Sequence, residues 1–466
     1  NADLAVAAGA DSMYGADAGK IAMQGAGLPV RGLQDFYVNT DYLLVDESDM
    51  QDVWRALVGA RITMPEDVFD SGSMIQTRER RRVLGDHVMT YIDQIAGRTY
   101  PDCIVYSGSD YDSHGYPSHP YFALIPHDEK SLKANHPAPG GTCYTPYRCL
   151  LPRGFDRMLV VGLGISMERD AAAMVRMQRD ISNQGYAAGV AAAMAAQENT
   201  TVRDIEVRVL QRHLVETGAL PSKVLSHRDS FPLSSERVQQ AVTNLAVASN
   251  PKMAGVPLAI VLSHRDTAIP MMRRAYHEGS RDAKLVYAKV LGMLGETTGV
   301  ETLIEALRAV PVWDAKILQG AMAEYAHLPT RIDSLILALG FTKDPRALEP
   351  ILEKLSMLDA ETTLSHHRAV ALALEHLGDD RAAKPLAGLL QKPGMRGHVM
   401  RELEPLHNRN REKRRREGPL REIVLARALF RCGDHHGLGE EILREYLNDI
   451  RGLFAVHAQA VLEKRR

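Results

Sequence analysis

The chain has 466 residues, 45% hydrophobic and 24% charged, with 56 basic against 58 acidic side chains and a formal charge of −2. That length exceeds what one ordinary core supports, so two or three domains are expected. The near-neutral charge gives no ground for nucleic acid or a membrane surface as partner, and the longest small apolar run, AAGVAAAMAA, is too short and too weakly hydrophobic for a membrane span.

The chain opens on NADLAVAAGADSMYG, a small-residue helix with no strand before it. MIQTRERRRVLGDHVMTYID follows as an extended and then turned segment, in which Arg78, Arg80 and Arg82 share one side of a strand because side chains alternate with period two. Two readings stand for these arginines: a solvated edge strand that uses charge against aggregation, or a substrate cleft where Arg78 or Arg82 binds a carboxylate or hydroxyl. SDYDSHGYPSHPYFALIPHDEK holds Asp110, Asp112, His114, His119 and His127. A Gly- and Pro-containing loop does not supply the fixed geometry of a metal centre, so no metal is assigned; Tyr111, Asp112 and His114 are candidates for moving a proton. Cys103, Cys143, Cys149 and Cys432 form no CxxC pair, which indicates neither zinc nor a disulfide framework.

Residues 146–196, PYRCLLPRGFDRMLVVGLGISMERDAAAMVRMQRDISNQGYAAGVAAAMAA, carry the most chemistry. Met158 to Val161 reads as a short buried strand, Gly162 to Gly164 as a turn that admits close approach, and the segment after Ser182 as a helix. Its Gly185 and Gly189, four apart, share one face. A strand, a glycine turn and a helix N-terminus together favour an electron-rich ligand, because free amides and the helix dipole point the same way.

The texture changes near residue 250, and residues 226–255 read as a linker. From 256 to 466 one pattern recurs: a helix closed by glycine, a short polar turn, then a second amphipathic helix. The closing glycines are Gly295, Gly340, Gly378 and Gly433, spaced by 45, 38 and 55 residues. This spacing predicts an all-α, HEAT-like solenoid in which each helix pair buries its stripe against the next. HNRNREKRRREGP, residues 407–419, reads as a solvated loop without the aromatic neighbours that nucleic-acid binding requires.

The 146–196 stretch resembles the C-terminal flavin-binding segment of FAD-dependent oxidoreductases of the glutathione-reductase and fumarate-reductase kind. Tyr147 to Pro152 match its YRCLLP loop, Gly162 to Ser166 its G-x-G-x-S turn and Gly185 to Ala193 its glycine- and alanine-rich helix. The resemblance implies an α/β fold over residues 1–225: part of a Rossmann-like FAD/NAD(P)-binding domain, with an inserted α+β substrate domain at about 15–145 and the flavin-binding strand, turn and helix at 146–197. It implies FAD as cofactor, with Gly162, Leu163, Gly164 and Ser166 along the ribityl and pyrophosphate side and the amides of Gln184, Gly185 and Tyr186 facing the pyrimidine end of the ring. Arg78, Arg82 and His114 become the catalytic candidates, acting on a small polar organic substrate. NADLAVAAGA is similar to the segment after the family's Thr-Gly beside the adenosine; no GxGxxG occurs in the chain, so the expectation is a fragment of the flavoprotein. The alternative is a non-catalytic helical-repeat scaffold, binding a protein partner or itself through the repeats.

Overall fold

The computed structural model describes residues 81–109, 120–125, 141–248, 251–314, 329–401, 417–449 and 452–463, with short pieces at 12–14, 24–25, 50–51 and 76–77. Its strands form three antiparallel pairs. β1 (Ser12–Tyr14) pairs with β4 (Arg81–Val83), β2 (Gln24–Gly25) with β3 (Gln76–Thr77), and β5 (Cys103–Ser109) with β6 (Gly141–Pro146). The expected α/β character therefore appears among the described residues as small antiparallel pairs among helices, with a parallel bridge between Met89 and Met167.

Two compact units divide chiefly at Gly279 and Ser280, the second also taking in the β2–β3 pair. In the first, α1 (Tyr91–Ile95) starts at a capping box in which Thr90 and Asp93 satisfy each other's backbone amides. α2 (Pro120–Leu124), α3 (Arg169–Ala172), α4 (Gln178–Gln197) and α5 (Val207–Glu216) follow. α4 and α5 both pack on β5. The inner face of α4 is Asp180, Gln184, Ala187, Ala191 and Ala195, a three- and four-residue spacing that puts all five on one side.

Residues 226–255, expected as a linker, belong to this unit. α6 (Ser235–Val247), α7 (Pro251–Ser263) and α8 (Arg265–Glu278) pack together, and α7 lies on α1. The strap before them is fastened by Arg98, whose guanidinium forks onto Asp229 at 3.0 Å, reaches Asp93 at 3.1 Å and covers the rings of Tyr100 and Phe231. Thr99 adds bonds to Ser230 and to the Arg228 carbonyl. Proline-containing loops around a helical segment read as a linker; here the first of them is a strap held by side-chain bonds from residues about 130 positions earlier.

From Ser280 onward the described residues of the second unit are helical. α9 (Arg281–Met293) and α10 (Val300–Arg308), α11 (Arg331–Phe341) and α12 (Leu348–Ser356), α13 (Leu364–Leu377) and α14 (Ala383–Leu390), and α15 (Glu417–Arg431) and α16 (Leu438–Tyr446) form pairs, with α17 (Gly452–Glu463) against α16. First helices stack in order: α9 on α11, α11 on α13, α13 on α15. Gly295, Gly378 and Gly433 have the left-handed conformation expected after a first helix, with φ of 88°, 64° and 105°. Gly340 does not. It lies inside α11, where an added Cβ would stand 2.3 Å from the Ala373 Cα of α13, and Lys343 takes the left-handed position instead, with φ of 55°. That glycine is set by a helix crossing, not by a cap. Of the basic run 407–419, Glu417 to Pro419 begin α15 and the rest lie outside the described residues.

Candidate flavin site

The YRCLLP loop folds as a 3-10 turn over Tyr147–Cys149. It is anchored at both ends of its register: the Arg148 guanidinium forks onto Asp102 at 2.9 and 3.1 Å, and the Tyr147 hydroxyl donates to the Val202 carbonyl at 2.7 Å. Segment 84–89 runs beside it. Asp86 N–H donates to Leu151 O at 3.1 Å, Ser166 N–H to Cys149 O at 2.9 Å and Met89 N–H to Ser166 O at 3.2 Å. The Gly85 amide donates to Ser166 Oγ at 2.9 Å in the interior. A Cβ on Gly85 would meet Ser166 Cβ at 2.8 Å and the Leu151 carbonyl at 3.0 Å, so only glycine lets the two segments close. Sequence reasoning passed over Gly85, since a lone glycine after a strand has no pattern to mark it.

Met158 to Val161, expected as a buried strand, pairs with no strand among the described residues. Val160 gives one backbone bond, to Leu150 O at 2.9 Å, and its side chain clusters with Val83, Phe155 and Met158. The chain then enters a 3-10 turn over Gly162–Gly164, which opens on a left-handed Gly162 with φ of 74°. The Gly162 amide donates to Gln184 Oε1 at 2.8 Å, while Gln184 Nε2 donates to the Val175 carbonyl at 3.1 Å. Gln184 is fully buried, and its side chain ties the glycine turn to the flank of α4. Gly164 and Ser166 are buried and Leu163 half-buried.

α4 begins at Gln178, five residues before the Asn183 start expected from sequence. The amides of Gln184, Gly185 and Tyr186 are therefore in the helix body, where amides bond to carbonyls four residues back. The free donors are in the first turn, Gln178 to Asp180, and the N-cap Met177 offers them no side-chain cap. Asp180 is buried there, and burial pushes its carboxyl above the usual range despite Arg179 Nε at 3.7 Å. Gly185 and Gly189 lie on the outer side: among the described residues, no atom from outside the helix backbone comes within 4 Å of a Cβ added at either position. Tyr186 is exposed beside them, its hydroxyl 2.9 Å from His213 Nε2.

Of the catalytic candidates, Arg82 alone lies among the described residues. Arg82 is wholly buried on β4, which the solvated-edge reading does not describe. Arg78 and His114, with Asp110, Asp112, His119 and His127, lie outside the described residues. Among the described residues no group of three His, Cys, Asp or Glu is placed to hold a metal ion, and no helix is long and apolar enough to cross a membrane.

With this geometry in place, comparison with known families gives one assignment. Residues 59–214 match the FAD dependent oxidoreductase family, a span that contains the YRCLLP loop, the glycine turn and α4 entire. That family consists of FAD-dependent oxidoreductases, so the matched span points to FAD as its cofactor. No curated protein sequence matches the chain.

Proposed function

We propose that this chain carries the ring-side part of an FAD site that oxidises or reduces a small polar organic substrate, and that its stacked helix pairs form a HEAT-like solenoid for assembly or partner contact. The observation that carries the flavin reading is the junction of the Gly162–Gly164 turn with α4. Gln184 pins the turn to the helix, the first-turn amides have no side-chain cap, and the face bearing Gly185 and Gly189 is open.

The residues present fit the group. First-turn amides of Gln178, Arg179 and Asp180 supply donors for an electron-rich carbonyl, and the positive end of α4 favours negative charge there. This moves the pyrimidine-facing amides one to two turns earlier than Gln184, Gly185 and Tyr186. Gly162, Leu163 and Gly164 would border the ribityl chain, with Ser166 holding their segment in place through Gly85. Bound FAD supplies the hydride chemistry. The protein's part is to orient the ring, to stabilise charge at its pyrimidine end and to exclude water with the buried loop.

The test is flavin content. The product of the complete gene, purified and then denatured, should release FAD in equimolar amount or retain it covalently. A colourless product that takes up no added FAD would remove the flavoenzyme reading and leave the helical-repeat scaffold.

A further inference from the structure

His366 of α13 is buried in the helical unit, and both of its ring nitrogens face acceptors. Nδ1 is 2.7 Å from Asp333 Oδ1 and Nε2 is 3.2 Å from the Asp314 carbonyl oxygen. A carboxylate and a carbonyl only accept, so both bonds are made at once only when each ring nitrogen carries a proton. The Asp333 carboxylate cannot turn away, because its other oxygen accepts from the Thr330 amide at 2.9 Å in the capping box that starts α11. The Trp313 indole stacks on the imidazole with centroids 4.3 Å apart and planes 25° apart, the geometry in which a cation is attracted to a ring face. Asp314 is held in turn, its Oδ2 accepting from the Ile332 amide at 3.0 Å.

We propose that His366 is a proton-controlled latch that fastens residues 313–314 to α11 and α13, making the join of the segment after the first helix pair to the second and third pairs firmer when the ring is charged. When the ring is neutral it has a single N–H. Asp333, the anionic acceptor, keeps that hydrogen at Nδ1, and the Nε2 lone pair then faces the Asp314 carbonyl. One bond becomes a repulsion, and the stacked indole loses its cation.

The charged surroundings favour this assignment. Burial opposes the cation, but the hydrogen bond and charge of Asp333 and the carbonyl and charge of Asp314 outweigh it, so the ring titrates above its ordinary value. Lys354 of α12 donates to the Val310 carbonyl at the start of the same segment, and the Trp313 indole donates to the Lys354 carbonyl at 3.3 Å. His367, next along α13, is pushed down to about 4 by burial and by Arg421 of α15, so it stays neutral while His366 titrates. A folded value above the unfolded one means that the latch contributes fully below the ordinary histidine range and is lost as pH rises through the raised value.

The chain has two tryptophans, Trp54 and Trp313, so Trp54→Phe leaves Trp313 as the only indole reporter. Imidazolium quenches indole emission. Scanned from about pH 5 to about pH 9, emission should rise in a single step with its midpoint above the ordinary histidine value near 6.5, and His366→Gln should flatten the profile. A flat profile before the second substitution, or a step that persists after it, overturns the latch. Should His366→Gln fail to fold, nitrogen NMR of histidine-labelled chain decides: one ring must remain doubly protonated above the ordinary range, and its absence overturns the proposal equally.

Discussion

Gly185→Ala separates what the protein needs at the outer face of α4 from what a cofactor needs there. Gly185 is in the body of a 20-residue helix, where glycine costs about 1 kcal/mol relative to alanine. Among the described residues the added Cβ would meet nothing within 4 Å beyond its own helix backbone, so no clash there offsets that gain. The chain without flavin should become more stable by up to about 1 kcal/mol, a rise in Tm of about 2–4 °C for a unit of this size. If the flavin ring approaches this face, the same methyl group overpacks the bound state by about 1–3 kcal/mol, and FAD affinity falls roughly five- to hundredfold. Calorimetric melting of the flavin-free chain gives the first quantity; fluorescence titration of the complete gene product with FAD gives the second. A lower Tm would contradict the open face. A higher Tm with unchanged FAD affinity would show that the cofactor does not approach Gly185, and the placement of the ring along α4 would be wrong.

Gly340→Ala should have the opposite sign to Gly185→Ala. A Cβ there stands 2.4 Å from the Ala373 Cβ, so overpacking of about 1–3 kcal/mol, or more, exceeds the propensity gain and the helical unit should melt lower; a higher Tm would refute the close crossing of α11 and α13. All four cysteines are buried, and burial pushes the Cys103 thiol up to about 12 and Cys143 and Cys149 higher still. Folded chain should therefore resist iodoacetamide, as read by intact mass, until denaturant is added, and its stability should decline above about pH 8.5 as unfolded thiols ionise; rapid alkylation of the native chain would refute this.

Much of the helical unit was legible because its signals are local. A glycine in the left-handed conformation terminates a helix through bonds within a few residues, as at Gly378, whose amide returns to the Leu374 carbonyl at 2.9 Å. Apolar spacing of three and four then marks the second helix of each pair, and neither feature depends on distant residues. Gly340 broke the pattern because its reason is the Ala373 backbone on the next first helix, which local sequence does not display. The flavin segment was legible as a motif, and the family match over residues 59–214 agrees with it.

What the sequence by itself determined is therefore the recurring helix pairs, the YRCLLP loop, the glycine turn and the cofactor class. Tertiary structure decided how these meet. It started α4 at Gln178, so that the free amides are those of the first turn and not of Gln184 to Tyr186. It left Met158 to Val161 without a strand partner among the described residues and fastened 226–234 with Arg98. It joined Gly162 to Gln184 across 22 positions and Gly85 to Ser166 across 81. A helix cap is written in consecutive residues, whereas a buried amide takes its partner from whatever segment packing brings within about 3 Å, and sequence separation places no limit on which segment that is.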